Sequence, residues 1–146
     1  MGDTYDSVPD IPAVVILERA SGDRSLLAHH FRHLGWSVTQ VGDASALLDA
    51  VRSRPLVAVL QRDFGDVPTQ ELIGRLRAAT AGCHVVVASQ VEYVHVVPGR
   101  PGLHEIGADA VLDLPYTRSS VRRLVRRLIE RGPARSEPAE SVAAGE

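Results

Sequence analysis

Short runs that are apolar at every position alternate along this chain with segments whose apolar residues recur at helical spacing. The runs 13–17 (AVVIL) and 56–60 (LVAVL) are of the first kind, and 85–88 and 110–112 are shorter examples. A strand without polar positions needs helices on both faces of its sheet, because neither side can be left in water. The alternation therefore predicts an α/β fold built on a parallel sheet.

The remaining elements follow from the same patterns. The more polar run 37–41 (SVTQV) predicts an edge strand, and Gly35 marks a helix end before it. The last predicted helix carries an apolar stripe at i, i+3, i+4 and i+7, formed by Val121, Leu124, Val125 and Leu128. Helices are predicted over 23–34, 43–52, 69–79 and 117–131, which gives five strands separated by helices.

One segment breaks this order. A fourth helix is expected between the fourth and fifth strands, but Pro98 and Pro101 prevent a continuous helix within 90–103. The ends also lack periodicity, and the last residues are mainly Pro, Ala, Ser and Glu. We therefore predict a flexible N-terminal segment (1–11), one domain (12–131) with a disrupted fourth helix, and a disordered tail (132–146).

Composition excludes several classes of protein. The formal net charge is −2 at pH 7, which gives no overall attraction to nucleic acid or to an anionic membrane. A single cysteine, Cys83, excludes an internal disulfide and a zinc-finger arrangement of cysteines. No signal-peptide pattern and no apolar run of membrane-spanning length is present. We expect a soluble cytoplasmic protein that does not bind membranes.

Several local stretches carry a resemblance to a known family. They are 24–27 (RSLL) with 34–38 (LGWSV), and 106–112 (IGADAVL) followed by Pro115 and Tyr116. Together with the element order, they make residues 12–131 resemble the receiver domain of bacterial two-component response regulators. The resemblance implies a doubly wound, flavodoxin-like sheet of five parallel strands in the order 2-1-3-4-5.

The resemblance also implies where phosphoryl chemistry would lie. Receiver domains place two carboxylates after the first strand, a phosphate-accepting aspartate at the end of the third, a hydroxyl after the fourth and a lysine after the fifth. In this sequence, these positions fall on Glu18 with Arg19, Gln61, Ser89 and Leu114. A carboxamide has no anionic oxygen to accept a phosphoryl group. We therefore expect a pseudo-receiver with no catalytic residue, no bound metal and no cofactor.

Two features of this degenerate pocket leave alternatives open. Asp63 becomes the acceptor if the third strand runs longer, although the following loop is then two residues shorter and the lysine is still missing. Glu18, Arg19 and Asp63 are expected to converge at the strand ends, as a salt bridge around Arg19 or as a small-ligand or cation pocket.

His29 and His33, four residues apart on the first predicted helix, form a solvated helix face or two ligands of a metal that lacks an evident third ligand.

The last helix is strongly basic. Only Glu130 opposes its arginines, which are Arg118, Arg122, Arg123, Arg126, Arg127 and Arg131. This face is a solvated surface, a docking site for an acidic partner or a second copy, or a weak nucleic-acid signal without interleaved aromatics. The disrupted segment adds an apolar group formed by Tyr93, Val94, Val96 and Val97, which packs on the core or contacts a partner.

These observations predict a phosphorylation-independent signalling or scaffold module. It is expected to bind another regulatory protein, or a second copy of itself, through the surface formed by the fourth helix, the fifth strand and the last helix. The candidate contact residues are Tyr93, Val94, Val96, Val97, Arg118, Arg122 and Arg126. The alternatives are a small-molecule sensor that resembles atypical receivers, and a nucleic-acid-binding regulator that uses the last helix.

Overall fold

One sheet of five parallel strands organises the computed structural model, which describes residues 11–20, 22–62, 64, 67–88, 107–113 and 115–131. The strands are β1 (Ala13–Leu17), β2 (Ser37–Val41), β3 (Val57–Gln61), β4 (His84–Ala88) and β5 (Ala110–Leu112). Their spatial order is β2-β1-β3-β4-β5, and every neighbouring pair is parallel. The predicted fold class and strand order are confirmed.

The helices lie close to their predicted positions. They are α1 (Leu26–His33), α2 (Ala44–Ala50), α3 (Thr69–Ala79) and α4 (Arg118–Arg131), with 3-10 turns at Gly22–Arg24 and Val51–Ser53. The first predicted helix starts too early, because Ser25 caps α1 by accepting a 2.9 Å hydrogen bond from the N–H of Ala28. Leu26, at the first position of the helix, is largely exposed.

Alternation along the central strands divides the core between the two faces of the sheet. On one face, Val14 and Ile16 of β1 pack with α1 and α4, including Phe31 and Leu128. On the other face, Val15 and Leu17 pack with α2 and α3, through Leu47, Val51, Leu72, Ile73 and Leu76. Burial on both sides explains why β1 and the interior of β3 and β4 are apolar, with polar residues only at His84, where β4 begins, and Gln61, where β3 ends.

The end of the sheet where the strands begin is held by Asp109, which precedes β5. Its Oδ2 accepts a 2.7 Å hydrogen bond from the N–H of Val85 and a 3.2 Å ion-pair hydrogen bond from Arg77. The N–H of Asp109 in turn donates to the carbonyl of Val85 at 2.7 Å. These contacts attach β5 and α3 to β4 at a short, three-residue edge strand.

The predictions for three segments are not tested by the structure. Residues 1–10, the tail from 132 and the segment 90–103, including both prolines and the apolar group around Tyr93, lie outside the described residues. Within the ranges that are described, no helix has both the length and the apolar character needed to cross a membrane.

Candidate functional site

The carboxyl end of the sheet is where the sequence placed the degenerate pocket, and β1 and β3 end there side by side. Leu17 pairs with Leu60, so the residues that follow β1 face the last residue of β3. The backbone N–H of Arg19 donates a 2.7 Å hydrogen bond to Oε1 of Gln61. The carboxamide oxygen at the expected acceptor position is therefore bound by the chain itself.

Glu18 turns into the fold at this edge and is only 9% exposed. Ser25 donates its hydroxyl hydrogen to Oε1 of Glu18, and the hydroxyl oxygen of Ser25 caps α1 by accepting from the N–H of Ala28. Burial raises the pKa of the Glu18 carboxyl above its usual value, and the hydrogen bond from Ser25 partly opposes the rise. The predicted carboxylate is thus a structural link between β1 and α1, which the sequence did not show.

Arg19 behaves differently from the expected salt bridge. Its guanidinium carbon lies 5.7 Å from the centre of the Phe64 ring, which is within the range of a cation–π contact. No ion pair between Arg19 and Glu18 is found among the described residues, because Glu18 is bonded to Ser25 and Arg19 stays at the exposed rim. The expected salt bridge therefore does not include Glu18, and Asp63, its other predicted carboxylate, lies outside the described residues.

Two further residues belong to this edge although the sequence did not indicate them. Arg62, directly after β3, is only 8% exposed, and its backbone N–H donates to the carbonyl of Ala88 at 2.9 Å. Tyr116 follows β5, and its carbonyl oxygen lies 3.2 Å from Nε2 of His30 on α1. The pKa of the Tyr116 hydroxyl is raised to about 12, mainly because the group is buried. The charges of Glu18 and Asp113 add to the rise. His30 is partly buried.

The donors at this edge do not fit Mg²⁺, the metal that receiver chemistry uses. Magnesium requires near-octahedral oxygen ligands with carboxylates among them. Between the described ends of β1 and β3, the side chains are one carboxyl bonded to Ser25, one carboxamide oxygen bonded to Arg19, and the guanidinium groups of Arg19 and Arg62. Within the residues placed by the structure, no three His, Cys, Asp or Glu side chains form a metal-binding group, and the pair His29 and His33 gains no third ligand.

A cavity of about 420 Å³ opens beside this edge, between the end of β1 and the start of α2. Its lining is mainly apolar and includes the polar side chains of Asp43 and Ser45, and Asp43 also caps α2 by accepting from the N–H of Ala46 at 2.8 Å. The lining residues are Leu17, Gly42, Asp43, Ala44, Ser45, Phe64, Val67 and Leu72. Its size and polarity suit a small, mainly apolar molecule.

The basic helix presents two different sides. Its predicted stripe of Val121, Leu124, Val125 and Leu128 is buried. Arg123 and Arg127 lie beside β5, in a 220 Å³ depression that also includes Val111, Leu112, Asp113, Ser120 and Leu124. Arg122 and Arg126 line a separate groove with Leu34 and Trp36.

The predicted contact residues therefore need a correction. The sequence assigned Arg122 and Arg126 to the surface that includes the fifth strand, but the structure places Arg123 and Arg127 there. A helix separates successive residues by about 100°, so neighbouring arginines fall on different sides. Arg118 is exposed at the start of α4. Ser89, Leu114, Tyr93, Val94, Val96 and Val97 lie outside the described residues.

Comparison with solved structures identifies the class of proteins that share this fold. No family model matches the sequence, and no curated protein matches it. Among solved structures, the chemotaxis response regulator CheY4 of Vibrio cholerae is 16% identical, with a TM-score of 0.66 over 82% of this chain and 99% of that one. The receiver domain of the sensor histidine kinase PA1611 of Pseudomonas aeruginosa PAO1, which has a magnesium ion coordinated in its active-site cleft, is 17% identical, with a TM-score of 0.68 over 83% of this chain and 99% of that one.

A third structure agrees with these two. The signal receiver domain of a putative Luxo repressor protein from Vibrio parahaemolyticus is 16% identical, with a TM-score of 0.67 over 83% of this chain and 92% of that one. The chain therefore has the fold of the receiver domains of response regulators. Identities this low establish the fold alone, and the activities of these proteins are not transferred with it.

Proposed function

We propose that this chain is a signalling module that uses the receiver fold without being phosphorylated, and that it acts by binding another protein. The observation that carries the proposal is the hydrogen bond from the N–H of Arg19 to Oε1 of Gln61. A carboxamide is not a phosphoryl acceptor, and here its oxygen is already bound. The solved structures that share the fold belong, by their own descriptions, to chemotaxis and signal-receiver proteins.

The charges at the same edge support this proposal. A phosphoryl group in a receiver needs a divalent cation beside the acceptor, and the donors contributed by the described residues do not fit one. Two arginines lie at the edge, one against Phe64 and one buried after β3. A fixed guanidinium cannot coordinate a metal, because it offers donors and no acceptor. The proposal therefore includes no catalytic step.

The direct test of this proposal is chemical. The purified chain is incubated with acetyl phosphate and Mg²⁺, and intact-mass spectrometry follows the increment of one phosphoryl group. We expect no increment for the native chain, and none for Gln61→Asp, because the change leaves both arginines in place. An acid-labile increment on the native chain contradicts phosphorylation independence.

The proposed contact surface combines the segment 93–101 with β5 and the adjacent side of α4. Arg123 and Arg127 are exposed beside the edge strand β5 and give this surface a positive charge. Such charges accelerate association with an acidic partner and make the rate depend on salt. Against a partner captured from the native cell, Arg123→Glu with Arg127→Glu should slow association and flatten its salt dependence. Unchanged kinetics would assign this side of the helix to solvent.

The apolar part of the proposed surface has its own test. Tyr93→Ala and Val96→Ser should weaken partner binding while the melting temperature stays near that of the native chain. If these side chains instead complete the core, each change should cost roughly 2 to 4 kcal/mol of unfolding free energy. A large loss of stability with normal partner binding contradicts the assignment of these residues to the contact surface.

A second candidate function rests on the cavity between β1, α2 and Phe64. Its volume of about 420 Å³ is large enough for a metabolite, and it lies at the carboxyl end of the sheet, where open α/β sheets bind ligands. A metabolite screen read by melting temperature tests this small-molecule function. A hit whose stabilisation is lost in Val67→Trp, which fills the cavity, supports sensing. Stabilisation that is unchanged in this variant contradicts it.

A further inference from the structure

A groove of about 430 Å³ lies between α4 and the turn that joins α1 to β2. Its floor is apolar and is formed by Leu34, Trp36, Val125 and Ile129, and its rim is charged. Ile129 is 56% exposed, so the groove leaves part of a large aliphatic side chain in contact with water. We call this feature the Trp36 groove.

The charges on the rim are not balanced. Arg122 and Arg126 lie one helical turn apart, where like charges repel. In the part of the chain that the structure describes, neither forms an ion pair, not even with Glu130 on the same rim. An apolar floor beside two unmatched guanidinium groups is complementary to a segment that carries both carboxylates and an aromatic side chain.

The N-terminal residues of this chain have that composition, and Pro12, to which they lead, lies beside the groove. The carbonyl of Pro12 accepts a 2.9 Å hydrogen bond from the N–H of Ser37, the residue that follows Trp36. Residues 1–10 (MGDTYDSVPD) contain three aspartates, no basic side chain, one tyrosine and one valine. An extended chain covers about 3.3 Å per residue, so the six residues from Asp6 to Ile11 cover roughly 20 Å. That length exceeds the width of a helix, about 10 to 12 Å.

We propose that residues 1–10 bind the Trp36 groove of their own chain, with Tyr5 on the apolar floor and the aspartates at Arg122 and Arg126. The attachment through Pro12 supplies an effective concentration in the millimolar range, so a weak contact is enough. Binding there covers one side of α4 and leaves Arg123 and Arg127 beside β5 exposed. The tail 132–146 also starts near the groove, but it has no aromatic residue and it carries Arg135 among its acids.

The test uses the full chain, whose only tryptophan is Trp36. Proton–nitrogen NMR spectra of the native chain are compared with those of a variant carrying Tyr5→Ala, Asp6→Asn and Asp10→Asn. We expect shifts at the Trp36 indole and at the amides of Leu34 and Ile129, and these shifts should diminish at high salt. In a background of Arg122→Gln with Arg126→Gln, the same N-terminal changes should add almost nothing, because coupled groups are non-additive. The matched background, Arg123→Gln with Arg127→Gln, should preserve the full shift.

Three results overturn the proposal. The first is that the N-terminal changes leave the groove resonances in place. The second is that the shifts depend on protein concentration, which identifies a second copy as the occupant. The third is that Glu137→Gln with Glu140→Gln moves the Trp36 indole while the N-terminal changes do not, which assigns the groove to the tail. The melting temperature of each variant is measured alongside, and an unchanged value shows that the shifts do not report unfolding.

Discussion

The backbone N–H of Arg19 donates a 2.7 Å hydrogen bond to Oε1 of Gln61, which joins the residue two positions after β1 to the last residue of β3. A side chain of this length reaches across the strand ends, whereas aspartate is one methylene shorter. The residue at the expected acceptor position therefore makes a contact between neighbouring strands.

The first prediction concerns that contact. Gln61→Ala should lower the unfolding free energy by about 1 kcal/mol, the usual net value of one hydrogen bond, and urea denaturation measures it. Gln61→Glu keeps an acceptor oxygen at the same reach and should remain within about 0.5 kcal/mol of the native chain. Equal losses in both variants would show that the Arg19 contact contributes nothing.

The second prediction concerns pH. The folded-state pKa of Glu18 is raised mainly by burial, so the folded chain holds this proton more tightly than the unfolded chain. The corresponding stability is complete below 4.5, the ordinary pKa of a glutamate, and is lost as the pH rises through the folded-state pKa. Glu18→Gln, which keeps the acceptor for Ser25, should therefore gain stability relative to the native chain between pH 4.5 and 7. Parallel pH profiles for Glu18→Gln and native protein contradict the prediction.

The third prediction concerns Asp109. Asp109→Ala leaves the N–H of Val85 and the guanidinium of Arg77 without this carboxylate, and it should cost roughly 2 to 3 kcal/mol. The matched control is Arg75→Ala, which removes an exposed ion pair with Glu71 on α3 and should cost at most about 0.5 kcal/mol. Similar losses in the two variants would mean that Asp109 does not hold β5 and α3 to β4.

The fourth prediction concerns Cys83, which is 3% exposed. The pKa of its thiol is raised to about 12, mainly because the group is buried. The charge of Asp109 adds to the rise, and Arg77 opposes it more weakly. At pH 8 the thiol should therefore react with a disulfide reagent only as fast as the chain unfolds, and at once in urea. Rapid labelling of the folded chain would contradict this environment for Cys83.

Much of the fold follows from the sequence because parallel strands covered on both faces must be apolar throughout. The bounds of β1, β2, β5 and α3 are predicted to the residue. The start of α1 is not, because it depends on a 3-10 turn at Gly22–Arg24 that places Ser25 between Glu18 and the helix. Hydrophobic periodicity carries no information about such a turn.

The candidate site is predictable only as a location. The sequence places Glu18, Arg19 and Gln61 at one end of the sheet, and the structure brings all three there. Whether Arg19 pairs with a carboxylate or lies over Phe64 depends on side-chain directions that spacing does not determine. Likewise, the period of α4 separates Arg122 from Arg123, but only packing shows that Arg123 is the one beside β5.

The most direct measurement of phosphorylation independence is an amide NMR titration of the native chain with beryllofluoride and Mg²⁺, which together mimic an acyl phosphate. With Gln61 bound to Arg19 and two arginines at the same edge, we predict a spectrum that stays unchanged throughout the titration. Saturable shifts centred on Gln61 or on Asp63 would show that a phosphoryl group is accepted there, and would contradict the account.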